Sequence, residues 1–139
     1  MKKSQDAFLF SLVVGVLGIA AVQMGRGSEL DKSWTTNLNQ GLAKARTEGR
    51  PVLVEFGASW CGPCQQLRRQ VFSTSEFKDA TKDMILVYVD IDKEKALADQ
   101  YAIGPIPDVR VISPKGVQLV HSVGFIELPE MLSVLSSAK

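Results

Sequence analysis

The sequence predicts an α/β fold, a central mixed sheet flanked by helices, with one apolar N-terminal helix ahead of it. Three observations predict the sheet. Residues 51–56 (PVLVEF) and 84–89 (MILVYV) are short, apolar and β-branched, the pattern of strands buried on both faces. Segments with apolar residues at helical spacing alternate with them. Residues 109–112 and 117–123 flank the turn Ser113-Pro114-Lys115-Gly116 and form a hairpin. Alternating helices and strands build parallel neighbours, and the hairpin adds an antiparallel edge.

The chain begins with Lys2 and Lys3 ahead of an apolar run at 7–22 that continues through Gln23 and Met24. Charge followed by apolar residues is the layout of an export signal. As a helix the run, roughly 18 residues, spans about 27 Å against a bilayer core of about 30 Å. That length favours an uncleaved anchor. Cleavage is the alternative, although Gly18, Ala20 and Ala21 form no clean A-x-A site. With the lysines kept cytoplasmic, everything after Arg26 lies across the membrane. The expected division is a signal anchor or signal peptide at 1–25, a flexible linker at 26–33 and a folded domain at 34–139.

Within that domain, Leu38, Leu42 and Ala45 place a helix over 34–46, ended by Gly49 and Pro51. The strand at 51–56 follows. Leu67 and Val71 mark a helix at 65–72, and Ser75 is expected to cap a short helix after it. The strand at 84–89 precedes a helix at 94–101. After the hairpin, Leu128, Met131, Leu132 and Leu135 make 127–137 the closing helix.

The chain has 139 residues, 45% hydrophobic and 22% charged, which suits one packed domain and argues against disorder. Its 16 basic and 15 acidic residues give a net charge of +1. Nucleic acid is therefore not the expected partner, because phosphate binding needs a concentrated basic face. The doublet Arg68-Arg69 is expected on a solvated helix face.

The 2 cysteines are Cys61 and Cys64. A disulfide-stapled scaffold carries more pairs at longer spacings, and a structural zinc site needs ligands beyond two thiols and the single His121. No metal is expected, and no cofactor beyond the pair itself. Trp60-Cys61-Gly62-Pro63-Cys64 stands where a strand passes into a helix, so the two thiols are close enough to form a small disulfide ring. Cys61, at the helix start, faces unpaired N–H groups that favour its thiolate. Such a terminus supplies about 0.3–1 kcal/mol, and up to about 2 when partly buried. One pKa unit is about 1.4 kcal/mol. Cys61 then moves from about 8.5 toward about 7.5, low enough to attack at neutral pH. Cys61 is the expected nucleophile of a mixed-disulfide exchange, and the more buried Cys64 the thiol that resolves it.

With these residues in place, the sequence resembles the thioredoxin family from about Trp34 to the C-terminus. WCGPC at 60–64 matches the family's active-site motif. Ile106-Pro107 matches the loop whose proline is cis and lies beside the cysteines, and Gly124 matches a glycine near the substrate groove. Residues 38–61 and 71–77 are similar to the C-terminal periplasmic domain of bacterial transmembrane thiol–disulfide interchange proteins. The resemblance implies a thioredoxin-like fold and a thiol–disulfide oxidoreductase of the protein-disulfide reductase type. Trp60, Gly62, Pro63, Ile106, Pro107 and Gly124 would bind substrate. The implied partners are protein thiol or disulfide substrates and a redox partner protein, with the membrane held through the N-terminal helix. The implied location is a bacterial inner membrane with the domain facing the periplasm or cell exterior; cleaved soluble export is the alternative.

Several positions depart from the family pattern. Glu55 stands where a buried Asp is usual, and the resemblance implies a proton acceptor for Cys64 whose pKa burial would raise. A carboxylate that simply reaches solvent is the alternative. Tyr88 replaces a common lysine, leaving the charge balance near Glu55 open. Gly57 replaces an aromatic residue and is expected to open the surface beside Trp60. Asp108 follows Pro107 where Thr is common; it would oppose thiolate formation or select basic substrates, or simply start a strand. His121 is expected on the surface of the last hairpin, and Trp34 in packing. Phe125 either lines the groove or starts the last helix. A competing function is a copper-handling or assembly module using the thiols as soft Cu(I) ligands, though no methionine- or histidine-rich flank supports it.

Overall fold

The computed structural model describes residues 30–138. The expected anchor at 1–25 and the first half of the linker, 26–29, lie outside the described residues. Among the described residues, no helix is long and apolar enough to cross a membrane.

The elements run β1 (Trp34–Thr35), α1 (Leu38–Glu48), β2 (Val52–Gly57), α2 (Gly62–Leu67), a π-helical turn (Arg68–Phe72) and α3 (Ser75–Ala80). Then come β3 (Ile85–Asp90), α4 (Lys95–Gln100), β4 (Asp108–Ile112), β5 (Gln118–Val123) and α5 (Leu128–Ser136). The strands form one sheet in the order β1-β3-β2-β4-β5. β3 lies parallel to β1 and β2, whereas β4 runs antiparallel to β2 and β5. This is the thioredoxin-like α/β fold, with its mixed sheet covered by helices on both faces.

Alternation along each strand divides the core. On one face Leu53, Leu86, Val109 and Val111 pack against Leu67, Val71, Phe72, Phe77, Met131 and Leu135 from the α2, α3 and α5 side. On the other, Val52, Val54, Phe56, Ile85 and Val87 meet Leu38 and Ala45 of α1, with Leu97 of α4 alongside. Every residue of β2 is buried, Glu55 included, as its mostly apolar run predicts.

Three local readings change. Trp34 and Thr35 do not begin α1; they form β1, paired with Leu86 and Val87. The helix starts only after Asn37, whose side chain accepts the Gln40 N–H at 2.9 Å and caps it. The cap of α3 is Thr74 rather than Ser75: its hydroxyl accepts the Phe77 N–H at 3.2 Å. The helix expected at 65–72 is α-helical only to Leu67. The chain then widens into the π-helical turn, where the Ser73 N–H reaches back to the Arg68 carbonyl at 3.1 Å.

Trp34 is a packing residue, its ring 5.0 Å from Phe72 and 6.4 Å from Phe77, with Phe72 and Phe77 themselves 4.7 Å apart. This aromatic group ties β1 to the turn after the cysteine helix. Phe77→Ala is expected to lower the unfolding free energy by about 3–5 kcal/mol in urea titration. A loss below about 1 kcal/mol, the size of a surface substitution, would remove Phe77 from the core.

Candidate active site

β2 delivers the chain to a tight turn through Ala58, Ser59 and Trp60. The Cys61 N–H donates to the Ala58 carbonyl at 3.3 Å, and the Gln65 side-chain amide donates to the Ser59 carbonyl at 2.6 Å. Cys61 is the N-cap of α2 in extended backbone, and its sulfur accepts the Cys64 N–H at 3.2 Å. The two cysteines form a disulfide with Cα atoms 5.3 Å apart. Cys64 is fully enclosed at 0% exposure and Cys61 shows 3%. Gly62 and Pro63 form the exposed first turn of α2.

Ala58 completes a small apolar cluster with the cysteines, and Ile91 and Ile106 pack against it. The Ile106–Pro107 peptide is cis, the geometry the resemblance implied. The Pro107 carbonyl accepts the Gly124 N–H at 2.7 Å, so the proline loop and the end of β5 meet beside the pair. Gly124 has φ +91°, a conformation that favours glycine. Trp60 is 67% exposed, yet its indole N–H donates to an Asp92 carboxylate oxygen at 2.7 Å. Phe125 packs against the core cluster on the α5 side.

Glu55 does not reach solvent. It is 0% exposed, and both carboxylate oxygens meet Arg68, with Nε at 3.2 Å and Nη2 at 3.3 Å. Arg68 is therefore not on a solvated face, in contrast to the sequence expectation; its side chain is only 10% exposed. The cation missing at Tyr88 is supplied by Arg68, whose guanidinium lies 4.2 Å over the Tyr88 ring. Gly57 does not open the surface beside Trp60. It is buried, and a Cβ there would come within 3.1 Å of Arg68 Nη2 and of Glu55 Oε1, and 3.2 Å of the Tyr88 ring. Its missing side chain is the space this group occupies. Burial pushes the Glu55 carboxyl up to about 7, against the downward pull of Arg68.

Asp108 is likewise buried, but it presents no bare charge to the cysteines. Arg110 donates to its two oxygens at 2.8 and 3.0 Å, and His121 Nε2 lies 2.9 Å from Oδ2. The register explains the pairing: Arg110 stands opposite His121 across β4 and β5. His121 is thus on the hairpin surface as expected, but not unpaired.

A cleft of about 630 Å³ lies elsewhere, along β1 between Lys32, Lys44, Arg50 and Lys78. A protein disulfide needs an open groove at the sulfur rather than an enclosing cavity, so we place the chemistry at the cysteines. Among the described residues, no group of three or more His, Cys, Asp or Glu side chains is arranged to hold a metal.

A redox-active pair at the start of a helix, on this sheet and beside a cis-proline loop, defines a thiol–disulfide oxidoreductase. The profile described as thioredoxin-like matches residues 33–114. Thioredoxin of Mycoplasmoides gallisepticum is 32% identical over 108 residues, covering 78% of this chain and 92% of that protein. The thiol:disulfide interchange protein DsbD of Ralstonia nicotianae is 26% identical over 108 residues, 74% of this chain but 18% of that protein. The reduced C-terminal domain of Neisseria meningitidis DsbD superimposes with a TM-score of 0.65, covering 73% of this chain and 94% of that domain at 20% identity. The chain belongs to the thioredoxin-like family, whose members use their own dithiol and disulfide.

Arg68, Asp92 and the Asp108 partners are absent from the sequence-based site. Arg68 follows Cys64 by four residues, a spacing that places both on one helix face and could have flagged it.

The Glu55 carboxyl makes stability depend on pH. Between about pH 4.5 and 7 the unfolded chain has released this proton and the folded chain keeps it. Its stabilising contribution is complete below about 4.5 and is lost as pH rises through about 7. Glu55→Gln is therefore expected to gain about 2–3 kcal/mol on wild type between pH 5 and pH 7.5, measured by urea unfolding. Parallel stabilities at the two pH values would mean that Glu55 titrates as an ordinary carboxyl.

Proposed function

We propose that the protein reduces disulfides of exported proteins, or relays electrons to a further reductase there, from a membrane-anchored domain. The observation that carries this reading is the Cys61–Cys64 disulfide at the start of α2, beside an exposed Trp60 and the cis-proline loop. Cys61 attacks the substrate disulfide and forms a mixed disulfide, and one substrate sulfur leaves as a thiolate. Cys64 then gives up its proton, with Glu55 as acceptor, and attacks the Cys61 sulfur. This closes the Cys61–Cys64 disulfide and releases the second substrate thiolate, so two electrons pass from the dithiol to the substrate. Trp60, Gly62, Pro63, Ile106, Pro107 and Gly124 form the rim on which substrate lies. The Gly-Pro pair between the cysteines supports the reducing direction, and Lys2, Lys3 and the apolar run at 7–22 support export and anchoring.

In the reduced protein near neutral pH, iodoacetamide is expected to label Cys61 well before Cys64. Cys64→Ser is expected to accumulate mixed disulfides, and Cys61→Ser none. Preferential labelling of Cys64, or trapping by Cys61→Ser alone, would reverse the two roles.

Equilibration with glutathione is expected to give a reduction potential near the thioredoxin value of about −270 mV. A value near about −120 mV would make the protein an oxidant. A reporter active only outside the cytoplasm, fused after Lys139, is expected to work, and the protein to resist carbonate extraction from membranes. A soluble processed form would end the anchor and leave export standing; an inactive reporter would end both.

A further inference from the structure

Strand β2 carries a carboxylate on its α2-facing side, in register with Tyr88 of β3 and Val109 of β4. Neither neighbouring strand offers it a cation. Val109 is apolar, and burial pushes the Tyr88 phenol further above its ordinary range. Asp90, further along β3, adds only negative charge near Tyr88. Among the described residues, the positive group that meets Glu55 is Arg68, at the end of the cysteine helix.

Arg68 follows Cys64 by one helical turn, and its own N–H donates to the Cys64 carbonyl. The two side chains therefore share a helix face, and the carboxylate that Arg68 grips is held toward the face Cys64 occupies. The grip is two-pronged: Nε to one oxygen at 3.2 Å and Nη2 to the other at 3.3 Å. Such a fork fixes orientation as well as charge, which a lysine ammonium does not. The Arg68 guanidinium lies 4.2 Å over the Tyr88 ring, and the absent side chain of Gly57 leaves room beside both. Arg68 also opens the π-helical turn, a local widening of the kind that recurs at functional sites.

We propose that Arg68 is the positioning residue of the release step: its fork favours the anionic form of Glu55 and holds it in one orientation, ready to take the Cys64 proton. This rests on the reading of Glu55 as the proton acceptor. The order of events is then fixed by the pair. Cys64 transfers its proton to the Glu55 carboxylate, and the new thiolate attacks the Cys61 sulfur of the mixed disulfide. The substrate sulfur leaves with the electron pair of the broken bond and takes its proton from water. Arg68 stays charged throughout and moves no proton.

The test uses the full chain in detergent. Single-turnover disulfide reduction is followed from pH 6 to 9, and the Glu55 carboxyl of the reduced protein is titrated by ¹³C NMR. An opposite charge at this distance lowers a carboxyl by about 1–3 units, so Arg68→Met is expected to raise the Glu55 midpoint and the rate profile by that amount. Release at pH 7 then slows at least about fivefold, because a midpoint moved up by one unit from about 7 leaves roughly a tenth of the carboxyl ionised instead of half. Arg68→Lys is expected to restore part of the shift, and Arg68→Met to add nothing on a Glu55→Gln background. An unmoved Glu55 midpoint in Arg68→Met overturns the proposal even where Glu55→Gln slows release. A Glu55→Gln rate equal to wild type throughout instead sinks the proton-acceptor reading, and the NMR midpoint still reports whether Arg68 governs Glu55. Where Arg68→Met does not fold, an unmoved midpoint in Arg68→Lys is the overturning result.

Discussion

Strand β2 has water on neither face and a hydrogen-bonded neighbour along each edge, and the geometry of the cysteine pair follows from that enclosure. β3 holds one edge from Val52 to Gly57, and β4 holds the other from Val52 to Phe56. A strand fixed in this way cannot slip without turning its apolar set to the wrong side. Its exit point is therefore fixed, and with it the turn that makes Cys61 the cap of α2. The helix adds a second restraint through Leu67, which is buried against the same cluster as Val71 and Phe72. The disulfide sits between a strand that cannot shift and a helix anchored beyond it, with Ile91 and Ile106 closing the sides.

The same enclosure makes Glu55 expensive. An isolated carboxylate taken from water into such a place gives up its charge unless paired. Arg68 supplies the pairing, but desolvation still wins, since the group is held near pH 7 instead of its ordinary 4.5. The excess is about 3 kcal/mol at the usual rate of about 1.4 per unit. Asp108 meets a different solution on the other side of β4. Two donors from Arg110 and a ring nitrogen from His121 meet its oxygens. Arg110 in turn lies 5.7 Å from the Phe56 ring and 5.8 Å from that of Tyr101. One buried acid is satisfied by a nearly complete shell, and the other by a single arginine that leaves it poised between its two protonation states.

What could be seen in the sequence was whatever is local. The runs PVLVEF and MILVYV, the helical spacing of Leu128, Met131 and Leu135, and the hairpin turn at Pro114-Lys115-Gly116 each declare themselves within a few residues. So does the placement of WCGPC between strand and helix. β1 did not, because two residues carry no period; only its pairing with Leu86 and Val87 makes it a strand. Arg68 was hidden for another reason. As half of a basic doublet it looked solvated, and nothing within its helix shows that a carboxylate thirteen positions earlier lies within reach. Gly57 suggests a gap at the surface beside Trp60 because it stands where the family has an aromatic residue, whereas alternation along β2 turns it to the Glu55 side. The Asp108–His121 contact depends on the β4–β5 register, which no local pattern specifies.

These corrections change how the departures from the family pattern fit together. Taken singly, a longer acid at 55, a tyrosine at 88 and a glycine at 57 are three unrelated substitutions. In space they form one unit: the added methylene of Glu55 reaches toward the helix, Arg68 meets it there, Tyr88 lies beneath the guanidinium, and Gly57 gives up the volume. Moving the cation from the sheet to the helix has a further physical consequence. A charge on β3 would sit on the rigid part of the molecule and act on the acid alone. A charge on the cysteine helix, one turn beyond Cys64, ties the acid to the element that carries the reacting sulfurs. The Arg68 side chain then braces α2 against β2 through two charge-assisted bonds, so the carboxylate and Cys64 are held by the same helix.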